Sequence, residues 1–508
     1  MIQKLMGLFV VAVLCIFPVV YDNFYFNILE TKYKAYCTMA IGMMGVMMVY
    51  GLYTNKMIEY LKTFCIKRMV KSLTIVDWFV LAFWMATVLS WVFCDFPWEA
   101  FWGTSGRFNG VFLITIYTIT YFVVTRFCTL KRWHLDAFLL VSLFVCLFGI
   151  TDYFQMDLLG FKENMLDKQK SIYTSTLGNI NTYTVYVGAV VCVSSILFML
   201  DTCKKRCAFY FMTMIIAMVA LIVGTSDNAY LILAALFGFS PLIMFKQKHL
   251  IRRYLASVAA FLTSVLLVGW ISVKYADLVF ELDSIFKLLT KISFLPLIVA
   301  ILWVVVVGWE ITAVKKGEKD ELGRGFVYAW IGVILLVVVA VVFVLYDANL
   351  AGHAERYQAI KNYVVFNDSW GTNRGYVWKR SLMIYENFTP LQKLFGYGAD
   401  TFKLLMVQRF EVVNNVVFDS AHNEYLHYLV TIGFTGMAAY IGLLVSACIS
   451  MVKRTKASME VAAILFVVLA YAVQALVNIN LPVIFPLIWQ LLAMGLAKLP
   501  EDNGIEKK

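Results

Sequence analysis

Charge is what this sequence has least of. Asp, Glu, Lys and Arg make up only 15% of its 508 residues, against about 25% in an average soluble domain. A soluble chain of this length could not cover its surface with so few. Histidine is scarcer still, with 5 residues, and proline stands at 8. The 10 cysteines are scattered, mostly within apolar blocks, and no two form a C-x-x-C pair. That excludes a disulfide framework and a zinc ribbon. There is no Walker loop and no G-x-G-x-x-G after a strand, which removes the common nucleotide-binding folds. No His/Asp/Glu cluster has metal-ligand spacing. His422 and His427 are five apart and fall on different helix faces, so neither a metal nor a cofactor is expected.

What fills the chain instead is apolar: 62% of residues are hydrophobic. They come in blocks of about 20, the length that crosses roughly 30 Å of hydrocarbon. The composition therefore predicts an all-α integral membrane protein of about 14 transmembrane helices. The expected spans are 5–21, 35–54, 74–94, 110–127, 135–153, 182–200, 207–224, 228–245, 254–273, 293–314, 326–346, 424–451, 459–478 and 481–498. The first apolar run, after Lys4, lacks a small-x-small cleavage pattern and reads as a retained helix. The net charge of +11 does not indicate nucleic acid. Its basic residues sit in short clusters between apolar blocks, such as Lys204-Lys205-Arg206 and Arg252-Arg253, which is the positive-inside pattern. Those clusters place both termini in the cytoplasm, with 499–508 as a cytoplasmic tail.

One segment differs from the rest. Residues 347–421 are polar and of mixed charge, and by the same orientation rule they are extracytoplasmic. They separate membrane helices 1–11 (1–346) from helices 12–14 (422–498). Helices are expected over Ala354–Val365 and Asn373–Glu386, and from Thr401, with Asp400 as N-cap, to near Val413. Gly396 and Gly398 supply a turn. A structureless loop of this length is uncommon, so a folded lid is expected. A second, shorter outer loop spans about Gln155 to Asn181.

Almost no charge is placed at mid-membrane, so the polar interest lies at the outer side. His422, in Asp419-Ser420-Ala421-His422-Asn423-Glu424-Tyr425-Leu426, falls where the long loop meets a membrane helix. With Asp419 or Ser420 as N-cap it stands in the first turn, where the helix dipole disfavours a proton. A neutral imidazole suits a general base; an interfacial histidine bonded to a carbonyl is the other reading. Arg374 opens the middle loop helix, with Trp378 four residues on and on the same face. Its fork suits bidentate phosphate binding, or it stacks on Trp378, while Lys379 and Arg380 are expected to be solvated. Arg107, in Gly106-Arg107-Phe108-Asn109-Gly110, is an anion ligand or a headgroup anchor. Asn179 and Asn181 bind sugar hydroxyls or cap a helix.

Taken in order, these elements resemble the O-antigen ligase and polymerase superfamily of bacterial envelope glycosyltransferases. The matching elements are G-R-x-x-G at Arg107, G-N-x-N at Asn179 and Asn181, and N-R-G-x-x-W at Arg374 and Trp378. L-F-G-x-G at Leu394 to Gly398 and A-H-N-E-Y-L at His422 follow. The resemblance spans roughly residues 100 to 500 and implies a class C glycosyltransferase-like fold. It implies a lipid-linked donor, an undecaprenyl-diphosphate-linked glycan in a bacterial cytoplasmic membrane, and no metal. The acceptor is a glycan, a teichoic-type polymer or a protein. By this resemblance His422 takes the acceptor proton and Arg374 holds the diphosphate. Arg107, Asn179, Asn181, Asn373, Trp378, Asn423 and Glu424 are the substrate-binding positions. The chain departs from the pattern at Ser226-Asp227-Asn228, where many ligases carry Ser-Arg. Two rivals stand beside this reading: a lipid-linked oligosaccharide flippase or other multi-pass transporter, and a non-catalytic membrane scaffold.

Overall fold

The computed structural model describes residues 2–55, 59, 62, 65–104, 107–316, 321–410 and 418–500. It is an all-α membrane protein. The one sheet among the described residues is a hairpin of two-residue strands, Tyr173–Thr174 and Gly178–Asn179, in the second loop. Among the described residues, ten helices are long and apolar enough to cross a membrane. Four shorter apolar helices, Val111–Phe127, Asn228–Met244, Met459–Gln474 and Phe485–Leu496, coincide with the remaining expected spans.

The helices differ sharply in what they touch. Ile180–Leu200 is enclosed on nearly every face, as a helix apolar all round must be when it runs through a protein core. Leu295–Lys316 and Gly325–Asn349 are equally apolar but mostly exposed, the first packed along one side of Lys248–Lys274. Their exposed Val, Leu, Ile and Phe side chains suit hydrocarbon as solvent.

Charge gathers at one end of the bundle. Asp201 is fully buried and accepts from Arg132 at 2.7 Å and Arg206 at 2.6 Å. Arg253 donates to the carbonyls of Phe198 and Met199 at 3.0 and 3.2 Å. Asp77 closes a capping box with Thr74 and takes Arg126 at 2.6 Å. Each carboxylate is satisfied by several donors, the condition for a buried ion pair to be tolerated.

The opposite end carries the long loop. Its first expected helix is a 3-10 run, Ala354–Ile360, followed by a single turn, Lys361–Val364. The middle helix, Trp370–Glu386, has left-handed backbone at Gly371, Thr372 and Asn373, so regular helix begins at Arg374. The last, Phe402–Arg409, stops short of the expected end, which lies outside the described residues. Asp400 is not its N-cap; Thr401 precedes the helix, and Asp400 faces a different partner. Val377, Ile384, Phe388, Phe402, Leu405 and Met406 form a small core of the loop's own, closed by Val430 from the membrane helix beyond. Full burial of each such side chain contributes about 1.5–3 kcal/mol.

The expected span 424–451 is broken. Glu424–Thr431 ends at Ile432, and Gly433, at φ +73°, starts a new helix to Arg454. A left-handed glycine is the usual helix stop. The break receives the Leu394–Gly398 turn: the Tyr397 and Gly398 amides donate to Val430 and Thr431 carbonyls at 3.2 and 2.9 Å. A Cβ on Gly433 would lie 2.3 Å from the Leu394 carbonyl oxygen. Gly433→Ala combines that clash with left-handed strain of about 1–3 kcal/mol. It is expected to lower the thermal midpoint of the purified protein, read by tryptophan fluorescence in detergent.

Candidate active site

The site is assembled at the loop-bearing end from segments far apart in sequence. The Arg107 loop contributes first. Arg107 makes a bidentate pair with Asp419, Nε to Oδ2 at 3.0 Å and Nη2 to Oδ1 at 2.7 Å. Its own backbone amide, and that of Asn109, donate to Asp400 Oδ2 at 2.8 and 3.3 Å. Arg107 is therefore tied inward, not spread at a headgroup plane. Asp400 is buried, and burial pushes its carboxyl up to about 7 even though those amides favour the ionised form.

His422 stands beside this pair. Its backbone is left-handed, φ +46°, an uncommon conformation for a non-glycine residue in which Asn, Asp and His are enriched. The N-cap of the following helix is neither Asp419 nor Ser420. Asn423 holds that position, its Oδ1 accepting from the Leu426 amide at 3.0 Å. His422 thus sits just before the cap and not in the first turn, as the spacing had suggested. Among the described residues its ring makes no hydrogen bond. Burial, then the charges of Arg107 and Arg374, push the imidazole down to about 4, against the pull of Asp419. It is neutral at physiological pH.

Arg374 and Trp378 lie one turn apart on the middle loop helix. Trp378 Nε1 donates to the Ala421 carbonyl at 2.8 Å, clamping that helix to the residue before His422. Its ring packs on Trp370, centroids 5.0 Å apart. Arg374 does not stack on it. The Arg374 guanidinium has no hydrogen-bond partner among the described residues and reaches a cavity of about 700 Å³. Asp227, Lys361, Tyr363, Trp370 and Val477 share that cavity. Burial pulls Arg374 below its ordinary value, opposed by the Asp227 carboxylate; a guanidinium stays charged regardless. An unpaired, half-buried guanidinium facing a polar cavity is arranged to meet an anion.

The other predicted residues are placed differently. Asn179 caps its helix, its Oδ1 accepting from the Asn181 amide at 2.9 Å. Asn181 Oδ1 accepts from Ser226 at 2.8 Å and Asn228 at 3.1 Å. It holds the turn that presents Asp227 to the cavity. Asn373 is exposed at the left-handed start of the Arg374 helix. Glu424 points inward, buried, and accepts from Tyr440 at 2.9 Å and Tyr471 at 2.8 Å. Lys379 is exposed, but Arg380 is not simply solvated: it lies over Tyr376 and Phe410 at 5.1 and 4.7 Å.

Sequence reasoning missed Asp400 as the receiver of the Arg107 loop and Asp419 as its ion pair. No local pattern signals either, because the partners are 293 and 312 residues apart. It also missed the carboxyl pair at Asp227. Asp283, its neighbour, is pushed above the usual carboxylate range by burial and by Asp227 itself. No group of three or more His, Cys, Asp or Glu placed to hold a metal occurs among the described residues.

Fold and site together define a multi-pass membrane protein whose folded loop closes a cationic, polar site over one end of a helix bundle. Residues 278–441 match the family model described as O-Antigen ligase. Over that segment, about a third of the sequence, the chain is similar to O-antigen ligases. The matched segment contains Arg374, Trp378, His422, Asn423 and Glu424; Arg107, Asn179 and Asn181 lie before it. No curated protein matches the chain.

Proposed function

We propose that the chain transfers or polymerises a lipid-diphosphate-linked glycan onto an acceptor hydroxyl at the outer face of a bacterial cytoplasmic membrane. The observation that carries this reading is the convergence, on one end of the bundle, of a neutral unbonded imidazole and an unpaired guanidinium, tied together through Trp378 and Ala421. Glycan transfer of the O-antigen ligase type is supported by the family match.

The reaction is a single displacement at the anomeric carbon. The acceptor oxygen attacks, the bond to the diphosphate oxygen breaks, and the diphosphate leaves with the electron pair. His422 takes the acceptor proton. Arg374 holds the diphosphate and stabilises the charge that grows on it as the bond lengthens. Arg107, held by Asp419, keeps positive charge beside the base, while Asn373, Trp378, Asn423 and Glu424 shape the site with Asn179 and Asn181. The donor lipid is of the undecaprenyl type, the acceptor a glycan, a teichoic-type polymer or a protein. In this reading the four shorter apolar helices complete about 14 spans, a number set by hydrocarbon thickness. Helices 1–11 then precede the 347–421 lid and helices 12–14 follow it, in a class C-like arrangement with both termini cytoplasmic.

The test separates this reading from a flippase. Removing the chain from a producing cell is expected to leave the lipid-linked glycan in the outer leaflet, where a membrane-impermeant sugar oxidant labels it. Accumulation confined to the inner leaflet would overturn the assignment.

A further inference from the structure

Beside the Arg107–Asp419 pair lies a second, small cavity of about 10 Å³, the room one water molecule needs. Arg107, Asn109, Asp400, His427, Tyr428 and Asn480 are among the residues that line it, with the Glu424 carboxyl. Three of these residues carry a buried side-chain atom with no hydrogen-bond partner among the described residues: Asn109 Oδ1, His427 Nδ1 and Asn480 Oδ1. Each such atom costs about 1–3 kcal/mol if left unmet, and native interiors keep few of them. Three around one cavity point to a shared ligand.

The remaining bonds of these groups are already made. Asn109 Nδ2 donates to the Asn480 carbonyl at 2.8 Å, and Asn480 Nδ2 donates to Tyr428 Oη at 3.0 Å. Both amides are thereby oriented, with an oxygen to spare. His427 stacks on Phe402, centroids 5.2 Å apart. What is missing is one small molecule with two donors and one acceptor site, which is water.

We propose that one buried water occupies this cavity, donating to Asn109 Oδ1 and Asn480 Oδ1 and accepting from His427 Nδ1–H, and that His427 is thereby a positioning residue for Arg107. The requirement fixes the His427 tautomer with its proton on Nδ1. Asn109 is two residues from Arg107, in the loop seated on Asp400. His427 belongs to the helix that Asn423 caps directly after His422. The water is therefore a tie between the arginine loop and the helix bearing the base. Without it the loop keeps its bonds to Asp400, Asp419 and the Asn480 carbonyl but loses its link to His427.

The consequence reaches His422 through charge. The groups that act on His422 are Arg107 from the loop, Arg374 from the lid helix and Asp419 from its own segment. Arg107 is the larger of the two cationic influences. Moving it away raises the pH at which the base becomes protonated.

The experiment uses the full chain. Glycan transfer is followed in right-side-out membrane vesicles from producing cells, which carry their own lipid-linked donor. His427→Phe keeps the stacking ring and removes the donor. It is expected to lower the rate about tenfold, the scale of a small misplacement at a reacting site, and to move the acid limb of the kcat/KM profile upward. His427→Asn restores an amide donor and is expected to recover most of the rate. A wild-type rate and unmoved limb in His427→Phe would overturn the proposal. A purely structural role would reduce the amount of protein without moving the limb. If His427→Phe does not accumulate, an electron-microscopy map of the wild-type chain in nanodiscs decides. Density within hydrogen-bond distance of Asn109, His427 and Asn480 supports the water, and a cavity without density where other buried waters are visible refutes it. The kinetic arm rests on the proposed glycan transfer, whereas the map does not, so failure of one is distinguishable from failure of the other.

Discussion

His422→Asn is expected to abolish glycan transfer while leaving the protein folded. Asn is the preferred replacement because the position is left-handed, φ +46°, and Asn adopts that conformation readily. His422→Ala removes the same base but adds backbone strain of about 1–3 kcal/mol. Loss of a positioned general base costs roughly 10²–10⁴ in rate. The measurement is glycan product in a strain that depends on this chain, with membrane abundance determined in parallel. Normal product from a normally abundant His422→Asn protein would remove His422 from the mechanism. The pH dependence sharpens the test. In the unliganded protein the imidazole is held down to about 4 by burial and by Arg107 and Arg374. Protonation on acidification silences the base, so the acid limb of kcat/KM lies well below neutral. A bound diphosphate brings negative charge next to Arg374 and favours the imidazolium. The acid limb of kcat is therefore expected at higher pH than that of kcat/KM, and coincident limbs would show that no anion binds near His422.

Arg374→Ala is expected to reduce transfer by roughly 10²–10³, the effect of removing one preorganised donor from developing charge. Arg374→Lys keeps the charge but loses the planar fork, and should recover only part of that loss. The side chain has no protein partner among the described residues and does not stack on Trp378. Its removal leaves no orphaned group behind and little reason for misfolding. Binding separates the two roles of the residue. Purified protein in detergent should bind undecaprenyl diphosphate, with Arg374→Ala weakening it by the worth of a charged hydrogen bond, about 1.5–3 kcal/mol. Equal binding by both proteins would confine Arg374 to the lid's structure.

The helices were legible because a membrane span is a local property: about 20 apolar residues in a row announce themselves whatever they later touch. The break at Gly433 was less so, since Thr431-Ile432-Gly433 looks apolar and continuous, and only the docked Leu394–Gly398 turn makes the interruption necessary. The kinked start of the Arg374 helix was hidden in the same way. Asn373 reads as a helix start, yet three consecutive left-handed residues precede Arg374. Within the site, local chemistry singled out His422, Arg374 and Arg107. Their partners were invisible because ion pairs such as Arg107–Asp419 are made by folding and leave no spacing rule. The capping alternative at Asn179 describes what its side chain does in the structure, whereas Asp400 was misread for a related reason. A residue of N-cap type before a helix is a good prior, but a buried loop needing acceptors outbid it.

The left-handed backbone at His422 has a consequence for how the gene can fail. Among the residues that a single nucleotide change in a histidine codon can produce are Asn and Asp, the side chains that tolerate that conformation best. Neither restores a neutral proton acceptor of imidazole type. With His422 as the proposed base, those two changes are expected to give a protein that inserts, folds and still binds donor lipid without turning it over. Such an allele would act in a merodiploid as a sequestering competitor, where a deletion would be silent.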